Sequence, residues 1–185
     1  MSQKLRDYSG ELIPNIKWAD FTHATLSKLL NLYSKLYMAL DGFWYRSVRE
    51  RAGDKEALAY DMKVWEDMIR YETAMIRRQM KIRGNDITSL MKATQLCPWF
   101  QLTVSSIEIE SDTRASLTVA YCPTLEYLES KGEGTGYESC TVVCRKINEN
   151  FASMFGPDIE VRCPRLPPRR SKDDLCCQWQ FVKGD

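Results

Sequence analysis

"FQLTVSSIEIESDTRASLTVAYC", residues 100–122, is where the pattern of the chain changes from helix to strand. Apolar and polar residues alternate in both halves, with Leu117, Val119 and Tyr121 on one side, and the polar "ESDTR" separates them. That is the signature of a β-hairpin. Ser105 and Ser106 break the alternation and mark a bulge.

Upstream the period is helical. Leu26, Leu29, Leu30, Tyr33, Leu36, Tyr37, Leu40, Phe43 and Trp44 recur at intervals of three and four, predicting one long helix over 24–50 with Thr22 or Thr25 as its cap. Gly53 and Asp54 supply a stop and a new start. Leu58, Met62, Trp65, Met68, Ile69, Met75 and Ile76 then carry a second helix to about residue 82. The two pack as an antiparallel hairpin, and a short third helix follows Asp86 and ends before Pro98.

Downstream, "PTLEYLESK" reads as a short helix after Pro123, and "SCTVVCRKINENFASMFG" as a longer one closed by Gly156. "DIEVRC" and "LCCQWQFV" form a second strand pair, in which Cys177, Trp179 and Phe181 share a face. The order implies an α+β fold, a long N-terminal helical hairpin against an antiparallel sheet with further helices. Residues 1–97 form the helical region and 98–185 the α+β region of one compact unit.

Composition removes several classes. A formal net charge of +1, without a long basic or acidic block, gives no footprint for nucleic acid or an anionic membrane. The first twenty residues lack the apolar core of a leader, and no apolar run is long enough for a membrane span, so a cytoplasmic protein is expected. In a reducing compartment seven cysteines point to metal binding or catalysis more than to disulfides. The single histidine, His23, falls at a helix start and reads as a cap or surface residue. The glycines of "KGEGTG" do not match a phosphate loop, which needs a preceding strand.

Two groups of residues carry chemistry. Cys140 and Cys144, four apart, lie on one side of a helix start, where the dipole favours thiolate, although a core role for Cys144 is an equal reading. Cys140, Glu160, Cys163 and Cys177 fall on a helix start and two paired strands, and three thiolates with one carboxylate suit tetrahedral zinc, while buried unligated thiols are the plainer reading. Asp41, Trp44, Trp65, Trp99 and Tyr121 are the candidates for lining a small-molecule pocket, with Asp41 as its polar anchor.

The segment from Cys140 to Phe181 resembles the 4-vinyl reductase domain of phenol-responsive sensor regions. The matching residues are Cys140, Gly156, Glu160 and Cys163 in "EVRC", and Cys177 in "CCQWQF", with Cys176 as the alternative to Cys177. The resemblance implies a structural zinc beside an aromatic-ligand pocket. From about Leu36 onward the chain is also similar to uncharacterised cytosolic proteins related to L-2-amino-thiazoline-4-carboxylic acid hydrolase, through "LYMALDGFWY", "VWED", "YCPTLEYL" and "CCQWQF". That similarity adds Cys122 to the thiol set, and four thiols suit an iron–sulfur cluster equally.

Three functions are therefore expected in turn. The first is a metal-stabilised small-molecule-binding domain, with zinc and an aromatic or carboxylate ligand. The second is a C–N hydrolase of a small cyclic substrate, with either Cys122 as nucleophile and Glu126 as its base or a metal-activated water. The third is an iron–sulfur redox or sensor module. Exposed Met and aromatic residues on long amphipathic helices also point to a homodimer.

Overall fold

The computed structural model describes residues 4–131, 137 and 139–184. The "KGEGTG" glycines Gly132, Gly134 and Gly136 lie outside the described residues.

Helix α1 spans His23–Ala52, and the Thr22 side chain accepts from the Thr25 N–H at 3.2 Å to cap it. Gly53, at φ +88, is the single residue between α1 and α2 (Asp54–Gln79). A positive φ suits glycine, because a side chain there would meet its own backbone. Contacts climb in pairs away from this corner: Trp44 with Tyr60, Asp41 with Asp61, then Tyr37 with Trp65. The hairpin is thus antiparallel. Helix α3 (Ile87–Thr94) begins where the Asp86 carboxylate accepts from the Ser89 N–H at 2.7 Å.

Strands β1 (Val104–Ser111) and β2 (Arg114–Tyr121) form the expected hairpin, with a register shift between Val104 and Ser105 at the anticipated bulge. Helix α4 (Pro123–Lys131) follows β2. A π-helical turn, Ser139–Val143, opens what the sequence presents as one helix, and α5 runs only over Cys144–Ser153. Gly156 lies beyond its end, where a Cβ would stand 2.6 Å from Asp158 Oδ1. Strands β3 (Ile159–Arg165) and β4 (Cys177–Lys183) complete an antiparallel sheet of order β1-β2-β4-β3.

The architecture is α+β. One core holds Ile69 of α2, Ile87, Leu90 and Met91 of α3, Leu117 and Val119 of β2, Phe151 of α5, and Trp179 and Phe181 of β4. Helix α2 lies against α5, and α3 against β2 and β4. Arg77 ties the end of α2 to α5, donating to the Met154 carbonyl at 2.9 Å with its guanidinium 4.5 Å from the Phe155 ring centre. Helix α1 is the exception: its two buried residues, Thr25 and Ser34, are both polar. No helix of the described residues is long and apolar enough to cross a membrane.

Candidate functional site

The helical layer encloses an acidic and aromatic cluster. Asp61, Trp65 and Glu72 sit in phase with the buried face of α2, where Ala57 and Ile69 continue the same stripe. Tyr37 and Asp41, one turn apart on α1, meet them across the hairpin. The connection after α3 adds Cys97 and Trp99, Cys97 lying beside both Glu72 and the Trp99 side chain.

Its charges are poorly hydrated. Burial and the facing Asp41 raise Asp61 to about 7, while the Trp65 indole, hydrogen-bonded to both aspartates, works against the rise. Burial raises Asp41 as well. Burial alone lifts Glu72 to about 7. Beside it, the Tyr37 hydroxyl and the Cys97 thiol are pushed well up by burial first and by Glu72 second. A carboxyl that titrates near neutrality can hold a proton or hold a cation.

The hydrogen bonding is incomplete. Six buried side-chain N or O atoms among the described residues have no hydrogen-bond partner, and five belong here: Tyr37 Oη, Asp61 Oδ1, both Glu72 oxygens and Trp99 Nε1. Folds leave few such atoms, and each costs roughly 1–3 kcal/mol. Their concentration in one cluster marks a place built for polar company.

Of the five residues expected to line a pocket, the structure brings Asp41, Trp65 and Trp99 into this cluster. Trp44, 39% exposed, stacks edge-on against Tyr60, and Tyr121, 43% exposed, ends β2. Asp61, Glu72 and Tyr37 were not anticipated as site residues. The signal was present, because two carboxylates occupy apolar positions of the α2 period.

The other six thiols lie at the start of α4, on the π-helical turn and α5, and on or beside β3 and β4. Cys144 hydrogen-bonds to Cys140, which lowers the Cys140 thiol and raises that of Cys144. Cys122 and Cys177 neighbour both, and Cys163 neighbours Cys177. Burial raises Cys177 to about 12 and Cys163 to about 11. Trp179 Nε1–H donates to Cys177 Sγ at 3.3 Å, and Cys163 Sγ–H donates to the Gln178 carbonyl at 3.2 Å.

Glu160 does not join them. Successive strand residues face opposite ways, so Glu160 turns outward and pairs with Arg162 at 2.7 Å, its side chain 60% exposed. The set Cys140, Glu160, Cys163 and Cys177 therefore does not form. Among the described residues no three His, Cys, Asp or Glu side chains stand at metal-holding spacing. Zinc in the expected set does not fit the residues as they stand.

The pairing of Cys122 with Glu126 fails for a different reason. Arg169, with 3% of its side chain exposed, reaches from the proline- and arginine-rich loop to Glu126, to Glu129 at 2.6 Å, and to Cys176 Sγ at 3.8 Å. Glu126 is engaged by that guanidinium and is no base for Cys122. The Cys122 sulfur accepts from the Thr124 and Leu125 N–H groups at the start of α4, yet burial outweighs them and raises the thiol.

No curated protein and no solved structure matches the chain. A family model described as "Family of unknown function (DUF6125)" matches residues 19–183, a span that contains every helix and strand from α1 to β4. The chain belongs to that family.

Proposed function

We propose that the protein is a small-molecule-binding domain whose ligand sits in the helical layer, between α1, α2 and the α3–β1 connection. The observation that carries this reading is Glu72: 7% exposed, with neither carboxylate oxygen bonded, beside an unpartnered tyrosine hydroxyl and near an unpartnered indole N–H. Aromatic walls with a few convergent polar groups are the usual lining of a ligand site. This places the ligand on Asp41, Trp65 and Trp99, with Trp44 and Tyr121 outside. Native mass spectrometry of the freshly purified chain tests it. A small adduct that leaves on denaturation, and is absent from Glu72→Gln, supports the reading; a bare chain in both contradicts it.

A metal centre is a second reading, favoured by one observation: Cys122, Cys140, Cys144 and Cys177 are mutual neighbours. Soft thiolates suit zinc or an iron–sulfur cluster, and the four would have to close together to ligate either, since no three of them stand at metal-holding spacing. Elemental analysis of anaerobically purified protein decides it. Metal lost in Cys140→Ser supports the centre, and metal-free chain removes it.

A homodimer through α1 belongs to the same proposal. Tyr33, Leu36, Leu40 and Phe43 are 48%, 52%, 70% and 59% exposed along one side of that helix, and Trp44 and Tyr60 extend the patch onto α2. At roughly 100 Å² each these six side chains present about 600 Å², at the top of the range for a monomer's largest apolar patch and close to one side of a standard interface.

A further inference from the structure

We infer that the ligand of the helical-layer site is a small protonated primary amine that also carries a hydrogen-bond acceptor, seated with its ammonium on Glu72. This rests on the binding reading above and goes further by naming the chemistry.

The sign of the charge comes first. Asp41, Asp61 and Glu72 share the cluster, and none of them takes part in an ion pair among the described residues. Cations on the exposed face of α2 are committed to acids of that helix: Lys63 bonds Asp67 at 2.8 Å, and Arg70 bonds Glu66 at 2.9 Å. An anionic guest would meet like charge without a counter-ion in a poorly screened interior. A cation supplies what the fold omits.

The count of donors and acceptors comes next. A primary ammonium has three N–H donors. Glu72 offers both oxygens and Tyr37 its hydroxyl oxygen, all unpartnered, and Asp61 Oδ1 waits farther along the face. Hard divalent ions favour six or more oxygens, and four here are unpartnered among the described residues. The aromatic surround suits an organic cation, since indole and phenol rings attract ammonium through their faces. Tyr37 and Trp65 already stand edge to face at 5.9 Å, forming one wall.

One donor remains. Trp99 Nε1–H is buried and reaches no oxygen or nitrogen acceptor, only the weakly accepting Cys97 thiol, and an ammonium cannot serve it better. A hydroxyl or carbonyl oxygen on the same ligand can. An amino alcohol or an amino amide has both features, whereas a plain alkylamine has only the first.

Calorimetry on the full chain, refolded from denaturant to strip any guest, tests this with ethanolamine, propylamine, ethylene glycol, acetate and magnesium. The expected order is ethanolamine first, propylamine about tenfold weaker, and no binding by the others. Glu72→Gln should weaken both amines at least tenfold. Trp99→Phe should erase the preference for ethanolamine over propylamine. Equal binding of glycol, tighter binding of acetate or magnesium, amine affinity untouched by Glu72→Gln, or no amine binding at all would overturn the inference. A co-purified ligand that proves neutral or anionic, yet is lost in Glu72→Gln, would overturn the amine and leave the binding site standing; absence of any ligand would remove both.

Discussion

Asp41 of α1 and Asp61 of α2 face each other across the helical hairpin, with the Trp65 indole hydrogen-bonded to both carboxyl groups. Helix partners in a core are ordinarily apolar, so the hairpin has given up burial energy here to hold acids. With Glu72 on the same face of α2 as Asp61, the inner surface of the hairpin carries buried acids among aromatic rings.

The first prediction concerns pH. Glu72 and Asp61 titrate near 7 in the fold and in the ordinary carboxyl range when unfolded. At these two groups the folded state therefore binds protons more tightly: their contribution to stability is fullest below about pH 4, falls as pH rises, and levels off above about 7. The groups facing them are Asp41 opposite Asp61, and Tyr37 and Cys97 beside Glu72, none of them a cation. In ligand-stripped protein Glu72→Gln should match the parent at pH 4 and exceed it by ~3 kcal/mol at pH 8. Urea unfolding at both values checks this, and a variant no more stable at pH 8 contradicts it.

The second concerns Arg169. Its buried guanidinium joins the loop before β4 to Glu126 and Glu129 of α4. Removing one partner from a buried charged cluster strands the others, at a typical cost of about 3–5 kcal/mol. With both glutamates partly exposed, at 31% and 17%, Arg169→Met should cost ~2–3 kcal/mol by denaturant unfolding. A loss under ~1 kcal/mol would show that the pairs hold nothing together.

A third prediction separates the thiols. Cys140 is lowered by the hydrogen bond from Cys144, whereas burial raises Cys122, Cys163 and Cys177. In an ultraviolet titration of metal-free protein Cys140 should ionise first. Cys144→Ala should move that first step upward, and an unmoved step would show that the hydrogen bond does not set it.

The fourth addresses assembly. Leu40 and Phe43 are exposed and contribute nothing to the core, so Leu40→Glu with Phe43→Glu should leave the unfolding midpoint intact. Sedimentation should report a dimer for the parent and a monomer for the variant. A monomeric parent would leave the α1 face without its partner.

How much of this was legible in the sequence differs by region. The hairpin corner at Gly53, the Asp86 cap, the bulge at Ser105 and the two strand pairs follow from local chemistry, and each stands where the pattern placed it. The π-helical turn at Ser139–Val143 left no mark, because a switch from i→i+4 to i→i+5 hydrogen bonding does not show in side-chain spacing over one turn. Of the residues named as pocket lining, Asp41 and Trp65 are hydrogen-bonded to each other, and Trp99 lies farther along, beside Cys97. Asp61 and Glu72 were passed over because an acid in an apolar stripe reads as an edge position until the neighbouring helix is in place. Glu160 was misplaced because E-x-x-C spacing on a strand sets its ends on opposite faces, a rule that grouping the residues by strand alone passed over. The bond from Arg169 to Glu126 spans 43 residues and no local pattern could announce it.

If the helical layer is a binding site, something other than protein and water occupies the space between Glu72, Tyr37 and Trp99. A high-resolution diffraction map of the chain as purified would show it. The expected result is density for a small organic molecule within hydrogen-bonding reach of both Glu72 oxygens and of Trp99 Nε1. Density for ordered water alone, with Glu72 and Trp99 both bonded to it, would contradict the binding reading.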